Sequence, residues 1–449
     1  MKFIRGCILS CFLYSATLLG QENLSLEDCI AYGLANHGTI TIAKNNTLAS
    51  DAAVNEVVAG YLPKVSVNGG IDDNIKVQEQ VIPAGIFSDQ DLRVAFTKQY
   101  NTTGSVQLDQ VIYDQSLLIG LKAGKYTKTQ AALSKKEREE ALVYSITSYY
   151  YQYGVYKLQL QFLLENKATY ESQLQIAALQ LEKGVLANVD YNRLQVNYNN
   201  ILSNIRTAST NLSESMNALK NAMGYSLDKI LQLEEVTKVP KEVLLQNELA
   251  VHEYDITKRS DYLLDSLNTQ LLAIDFERIK YSNLPKLSFY ARYGTIGFGD
   301  NLNESFSTQQ SFSAIGLKLS ATLFEGFGKT ARAKQAEIKY KNAIEQQHLN
   351  SEKYKLEVAN ATNKLANAKE AITQELENIN LAESVFNATN LQYRKGVTSL
   401  KYWLDDQLAL KESQRNYLQA VVDYYVATIE LKKSNGTLST YYNFLNTDK

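Results

Sequence analysis

Cysteine is scarce in this chain and poorly placed for cysteine chemistry. Of the three cysteines, Cys7 and Cys11 fall in the first twenty positions and only Cys29 lies beyond them. Neither a disulfide framework nor a cysteine zinc site is therefore expected, and Cys29 reads as a packing residue. The three histidines, His37, His252 and His348, fall in unrelated segments without metal-ligand spacing. No glycine-rich phosphate loop is present and no cysteine is placed as a nucleophile, so no enzyme activity, cofactor or metal is expected. Excess charge is missing too: the formal net charge is -2, and without a basic patch the 30 tyrosines do not point to nucleic acid. Long apolar runs are absent beyond the N-terminus, which excludes a transmembrane helix. Proline occurs four times, at Pro63, Pro83, Pro240 and Pro285, each at a junction or in a loop, where it punctuates helices without breaking them.

What the chain has is helical periodicity on a large scale. From Lys329 to Lys395 there is neither Gly nor Pro, and Ile344, Val358, Leu365, Ile372, Ile379, Phe386 and Tyr393 fall on one seven-residue row that only Ser351 interrupts. Ala361, Ala368 and Ala382 sit three places on. A sustained seven-residue repeat predicts helices supercoiled around neighbours, here in a helix of roughly 100 Å at 1.5 Å per residue. After Gly396 the pattern resumes through Leu404, Leu408, Leu418, Val422, Tyr425 and Ile429 until Gly436.

The first half repeats the design. Ile146, Tyr153, Leu160, Leu174 and Leu181 form one row, and Tyr149, Tyr156, Leu163, Tyr170 and Ala177 the next. Lys183-Gly184-Val185 answers Lys395-Gly396-Val397 at an offset of 212 positions, and Leu62-Pro63-Lys64 answers Leu284-Pro285-Lys286. Two tandem repeats are predicted, at 21–224 and 259–436. Each runs helix, strand pair, long helix, tip, helix. The strand pairs are placed at about 64–76 and 102–113, then at about 286–297 and 312–324; the tips are placed at 183–190 and 395–402. Residues 225–258 should form an irregular equatorial connection and 437–449 a tail. Lys2 and Arg5 ahead of an apolar run from Cys7 to Leu19 predict a signal peptide over 1–20. Residues 25–60 read as helical, with Ser25 and Glu27-Asp28 suited to a helix start.

The strand segments alternate with period two. Leu287, Phe289, Ala291 and Tyr293 oppose Lys286, Ser288, Tyr290 and Arg292; Ile315, Leu317, Leu319, Ala321 and Leu323 oppose Gly316, Lys318, Ser320 and Thr322. One apolar and one polar face over about ten residues suits a membrane β-barrel. Four strands cannot close, and open edges do not exist in lipid. Eight strands leave an interior filled by side chains, whereas three copies with cyclic symmetry give twelve and a lumen. The fold class predicted is a mixed α/β membrane protein, a trimeric 12-stranded β-barrel continuous with a long α-helical coiled-coil barrel. A secreted periplasmic coiled-coil scaffold without transport activity is the alternative.

With Ser25-Leu26-Glu27-Asp28-Cys29-Ile30 opening the mature chain, the two Leu-Pro strand entries and the paired Lys-Gly-Val breaks, the chain resembles the TolC-like outer-membrane efflux protein family over everything after the signal. No single motif is specific; the duplicated order of elements is. The resemblance implies a homotrimeric channel-tunnel in the outer membrane of a Gram-negative bacterium, contacting outer-membrane lipid and reaching into the periplasm. It would be the exit duct of a tripartite efflux or type I secretion system, with tips docked on a periplasmic membrane-fusion adaptor and, through it, an inner-membrane pump. The resemblance also implies two acidic positions at the aperture. They fall on Tyr402 and Asp405, so one carboxylate ring of three is expected where the family has two rings. It further implies an acid in the first tip at Asp190, held by Tyr393; the family's arginine is replaced by Thr398. An Asp190–Tyr393 hydrogen bond, broken on opening, is the expectation. Gly184, Val185, Leu186, Gly396, Val397, Thr398, Ser399 and Leu400 are small or apolar at turns expected to be exposed, which points to adaptor docking there.

Overall fold

A computed structural model describes residues 23–85, 89–234 and 255–438. The expected signal peptide, most of the equatorial connection and nearly all of the C-terminal tail lie outside them. The described chain is mostly helical with a few strands. In order it runs α1 (Leu26–Asn36), α2 (Gly38–Ala59), β1 (Lys64–Asp73), β2 (Glu79–Ile82), β3 (Leu92–Ala95), β4 (Tyr100–Tyr113), α3 (Gln115–Glu182) and α4 (Asn188–Met223). After a short 3-10 turn come α5 (Ser260–Lys280), β5 (Lys286–Gly299), α6 (Leu302–Ser307), β6 (Gln310–Ser320), α7 (Gly328–Arg394) and α8 (Leu400–Ser434).

Ser25 starts α1 as a capping box: its hydroxyl accepts from the Asp28 amide at 3.2 Å and its own amide donates to Asp28 Oδ2 at 3.2 Å. The single helix expected over 25–60 is two. The chain breaks at His37, whose ψ of 132° is extended, and the Gly224 backbone packs against the His37 backbone closely enough that a Cβ at Gly224 would stand 3.1 Å from His37 Cα.

The four long strands form one antiparallel sheet in the order β1-β4-β5-β6. Lys64 faces Asp109, Leu108 faces Ala291 and Leu287 faces Leu319 across the three ladders. This register lines Val65, Val67, Val106, Leu108, Phe289, Ala291, Ile315 and Leu317 on one face, while Ser66, Asn68, Ser105, Gln107, Arg292 and Lys318 lie on the other. The apolar face is exposed: Val67 and Ile315 are both 79% exposed. β6 stops at Ser320, short of the expected 324, because Ser320 already pairs with Lys286, the first residue of β5. The alternation through Ala321 and Leu323 therefore has no ladder to join. Two elements inside the connecting loops had no sequence counterpart, the β2-β3 hairpin and the single turn of α6.

The chain divides into two compact units. One holds the sheet, α5, most of α2 and the adjoining parts of α3 and α7. The other holds α1, α4, α8 and the remainder of α3 and α7, with its core in three apolar clusters. The first cluster gathers Cys29, Ile30, Ile146, Leu219 and Met223 with Leu231 and Leu233 of the connecting segment. Leu24 bridges to Leu233 there. Burial, then Asp28 and Glu27, push the Cys29 thiol up to about 12, so it carries no thiolate at neutral pH and packs as an apolar residue.

Candidate functional site

Both tip turns are built by the same device. Gly184 takes φ 71° and Gly396 φ 72°. At the first, the Gly184 amide donates to the Leu181 carbonyl at 3.0 Å and the Val185 amide to Gln180 at 2.9 Å; at the second, Gly396 donates to Tyr393 and Val397 to Gln392, both at 2.9 Å. This is the Schellman pattern, which satisfies the last carbonyls of a helix and requires a left-handed residue after it. Gly224 and Gly436 close α4 and α8 in the same way, so the repeat extends to the helix ends. Replacing Gly396 with alanine should destabilise the protein by about 1 kcal/mol or more, because a side chain is strained at positive φ. Gly120→Ala should act in the opposite sense. It lies inside α3, with no contact closer than 3.9 Å to the added carbon, and gains up to about 1 kcal/mol of helix propensity. Thermal denaturation of the two variants reads the opposite signs directly.

Between the turns lies an aromatic cluster that the sequence reading did not single out. Trp403, the only tryptophan of the chain, is fully buried. Its ring meets Tyr170 edge-on at 5.1 Å, Phe386 at 5.7 Å and Tyr393 at 6.4 Å. Its Nε1 donates to Asn390 Oδ1 at 2.9 Å. Ala177, Leu194, Ile201, Leu400 and Leu410 complete the cluster, so α3, α4, α7 and α8 all contribute to it.

The expected gate residues divide around it. Tyr402 is 61% exposed and Asp405 is exposed; three positions apart on a helix, they share a side. Asp406 turns to α7 instead and accepts from the Thr389 hydroxyl at 2.5 Å. Asp190 and Tyr393 are not hydrogen-bonded to each other. Asp190, in the first turn of α4, takes Arg193 at 3.1 Å, a pairing three residues apart that the sequence reading did not weigh. The Tyr393 hydroxyl donates to Gln180 Oε1 at 3.4 Å. Burial holds Tyr393 above its ordinary pKa; Gln173 opposes this and the Asp190 carboxylate adds to it. Arg394 reaches Ser172 of α3 at 3.2 Å.

Of the expected docking residues, Val185 and Val397 stand out at 77% and 74% exposed. Gly184, Gly396 and Ser399 are exposed, Thr398 is half-buried, and Leu186 and Leu400 turn inward to pack on the aromatic cluster.

Above the cluster runs a buried polar chain. Gln407 Nε2 donates to Asn166 Oδ1 at 2.9 Å and Asn166 Nδ2 to Gln414 Oε1 at 2.8 Å. Gln407 Oε1 has no hydrogen-bond partner among the described residues. Polar groups inside an apolar seam cost stability and fix helix register. Beside them a cavity of about 370 Å³ opens between α3, α4 and α8, and burial lowers the pKa of Lys411 on its wall. No group of His, Cys, Asp and Glu fit to hold a metal ion occurs among the described residues, and none of their helices is long and apolar enough to cross a membrane.

Residues 281–437 match the family model of the outer membrane efflux proteins. The chain is 22% identical to the outer membrane protein TolC of Vibrio cholerae over 75% of its own length and 77% of that protein. To TolC of Escherichia coli K12 it is 23% identical, over 75% and 70%. Its fold is similar to the crystal structure of the outer membrane protein VceC of Vibrio cholerae, with a TM-score of 0.75 at 13% identity, covering 92% of this chain and 96% of that one.

Proposed function

We propose, from its kinship with the TolC-like outer-membrane efflux proteins, that this chain is one third of a channel-tunnel. The chain is an outer-membrane transport protein of a Gram-negative bacterium and reaches into the periplasm. The observation that carries the trimer is the sheet. It has four strands with free edges at β1 and β6 and an exposed apolar face. Neither feature is stable alone: an open edge is excluded from lipid and a bare apolar face from water. Three copies joined β1 to β6 would remove every edge and set the apolar face toward lipid. Ser105, Gln107, Arg292 and Lys318 would then line the lumen.

In this reading the long helices continue the barrel as a coiled-coil tunnel, and the two Schellman turns form its periplasmic end. Val185 and Val397, exposed at equivalent places in the two repeats, would dock a periplasmic membrane-fusion adaptor and, through it, an inner-membrane pump. The exposed Asp405 side chains would form one ring of three carboxylates at the aperture, bordered by Tyr402. A ring of one sign attracts cations and favours their passage. Opening would separate the helix pairs where Tyr393 meets Gln180 and Arg394 meets Ser172.

Single channels of wild type and Asp405→Ala in planar bilayers test the reading. The wild type should show discrete cation-preferring pores, and the variant should lose most of that preference with its conductance retained. Pores with unchanged selectivity would remove Asp405 from the constriction and leave Tyr402 as the next residue to replace.

A further inference from the structure

The loop between β5 and β6 does not point away from the sheet; it folds back onto it. Sheet register decides which face it covers. Thr102 of β4 pairs with Gly297 of β5, and the positions that follow on the same face are Val106, Leu108, Tyr293 and Ala291. The Thr102 hydroxyl donates to the Ser305 carbonyl in α6 at 2.8 Å. Gln309 Nε2 donates to that carbonyl at 2.8 Å and to Thr102 Oγ1 at 2.7 Å. A Cβ at Gly297 would overlap the Ser305 carbonyl, and one at Gly299 the Ser305 amide. Two glycines and a threonine therefore make a seat for α6 on the apolar face, opposite the side that carries Ser105, Arg292 and Lys318. At the rim, Lys98 binds Asp300 at 3.0 Å and Glu304 at 2.6 Å, and the Thr308 hydroxyl donates to the Phe298 carbonyl at 2.5 Å.

A six-residue helix is too short to persist alone in water; it is held here by these ties. Two apolar side chains stand exposed on it, beside the polar Asn303 and Ser307. Leu302 is 43% and Phe306 55% exposed. Phe306 overhangs a hollow of about 660 Å³ on the sheet, floored by Gly69, Ile71, Thr102 and Gly104. A loop that served the lumen would sit on the polar face.

We propose that α6 is a foot in the outer leaflet of the membrane, inserting Leu302 and Phe306 among the acyl chains, with the glycine hollow beneath Phe306 taking one lipid tail. The inference rests on the strand face being turned to lipid, as in the proposed function. The foot is continuous with that apolar band, and its charged Lys98 cluster marks the level of the headgroups. Aromatic side chains at this level are favoured because one end of the site is apolar and the other wet.

Fluorescence of F306W in proteoliposomes tests this, with wild type as the baseline for buried Trp403. The added emission should be roughly halved by lipids brominated near the top of the acyl chain and untouched by aqueous iodide, as expected of an interfacial aromatic. I315W, mid-strand on the same face, is measured in parallel. Quenching of I315W by brominated lipid, with F306W quenched by iodide alone, would overturn the foot and leave the barrel. Loss of lipid quenching at both positions would overturn both. If F306W does not assemble, L302W gives the same readout from the neighbouring position.

Discussion

Trp403→Ala should loosen the tip more than any other single change. The indole is fully buried against Tyr170, Phe386 and Tyr393, and removing such a ring from a packed core costs about 3 to 5 kcal/mol. The loss is local, so hydrogen exchange reads it best. Amides in the first turns of α4 and α8 should exchange on the order of a hundredfold to a thousandfold faster if opening there is local. Amides of the cluster around Cys29 and Ile146 should keep their protection. Trp403→Phe keeps most of the packing and loses the bond to Asn390, a change of about 1 kcal/mol. Tip exchange that is unchanged in the alanine variant would mean that the four helices are held by something other than this cluster.

Ile315→Arg should abolish assembly in the membrane. Ile315 lies near the middle of β6 on the apolar face and is 79% exposed. A charge on the lipid side of a barrel strand costs about 2 to 4 kcal/mol near the midplane, and the proposed trimer would incur it three times. Asn68→Arg places the same side chain on the opposite face, beside Ser105, and should be tolerated. The two variants are compared by the amount of assembled protein recovered from the outer-membrane fraction. Equal recovery would contradict the assignment of faces.

The sequence revealed what short-range chemistry dictates. A helix that ends in a Schellman turn needs a left-handed residue, so Gly184 and Gly396 were visible as paired breaks. A ladder with one bare face needs period-two alternation, so the strands were visible too. Long-range pairing was not readable. The strand pattern continues to Leu323, and only the register reveals that Ser320 already faces Lys286, the first residue of β5. The seven-residue rows identify apolar sides of the long helices without revealing that α3, α4, α7 and α8 share one cluster around Trp403. The family resemblance pairs Asp190 with Tyr393, yet in three dimensions Arg193, one helical turn away, reaches it instead. α6 escaped notice because a single helical turn has no period of its own; its cause lies in Thr102 and Lys98, some two hundred positions earlier.

Closure of the sheet is the centre of this account, and the mass of the intact complex extracted from membranes in a mild detergent tests it most directly. Three chains per particle is the predicted result, because twelve strands leave neither a free edge at β1 nor one at β6. Two chains would give an eight-stranded barrel with its interior filled, and one chain would leave both edges open; either would contradict a tunnel with a lumen.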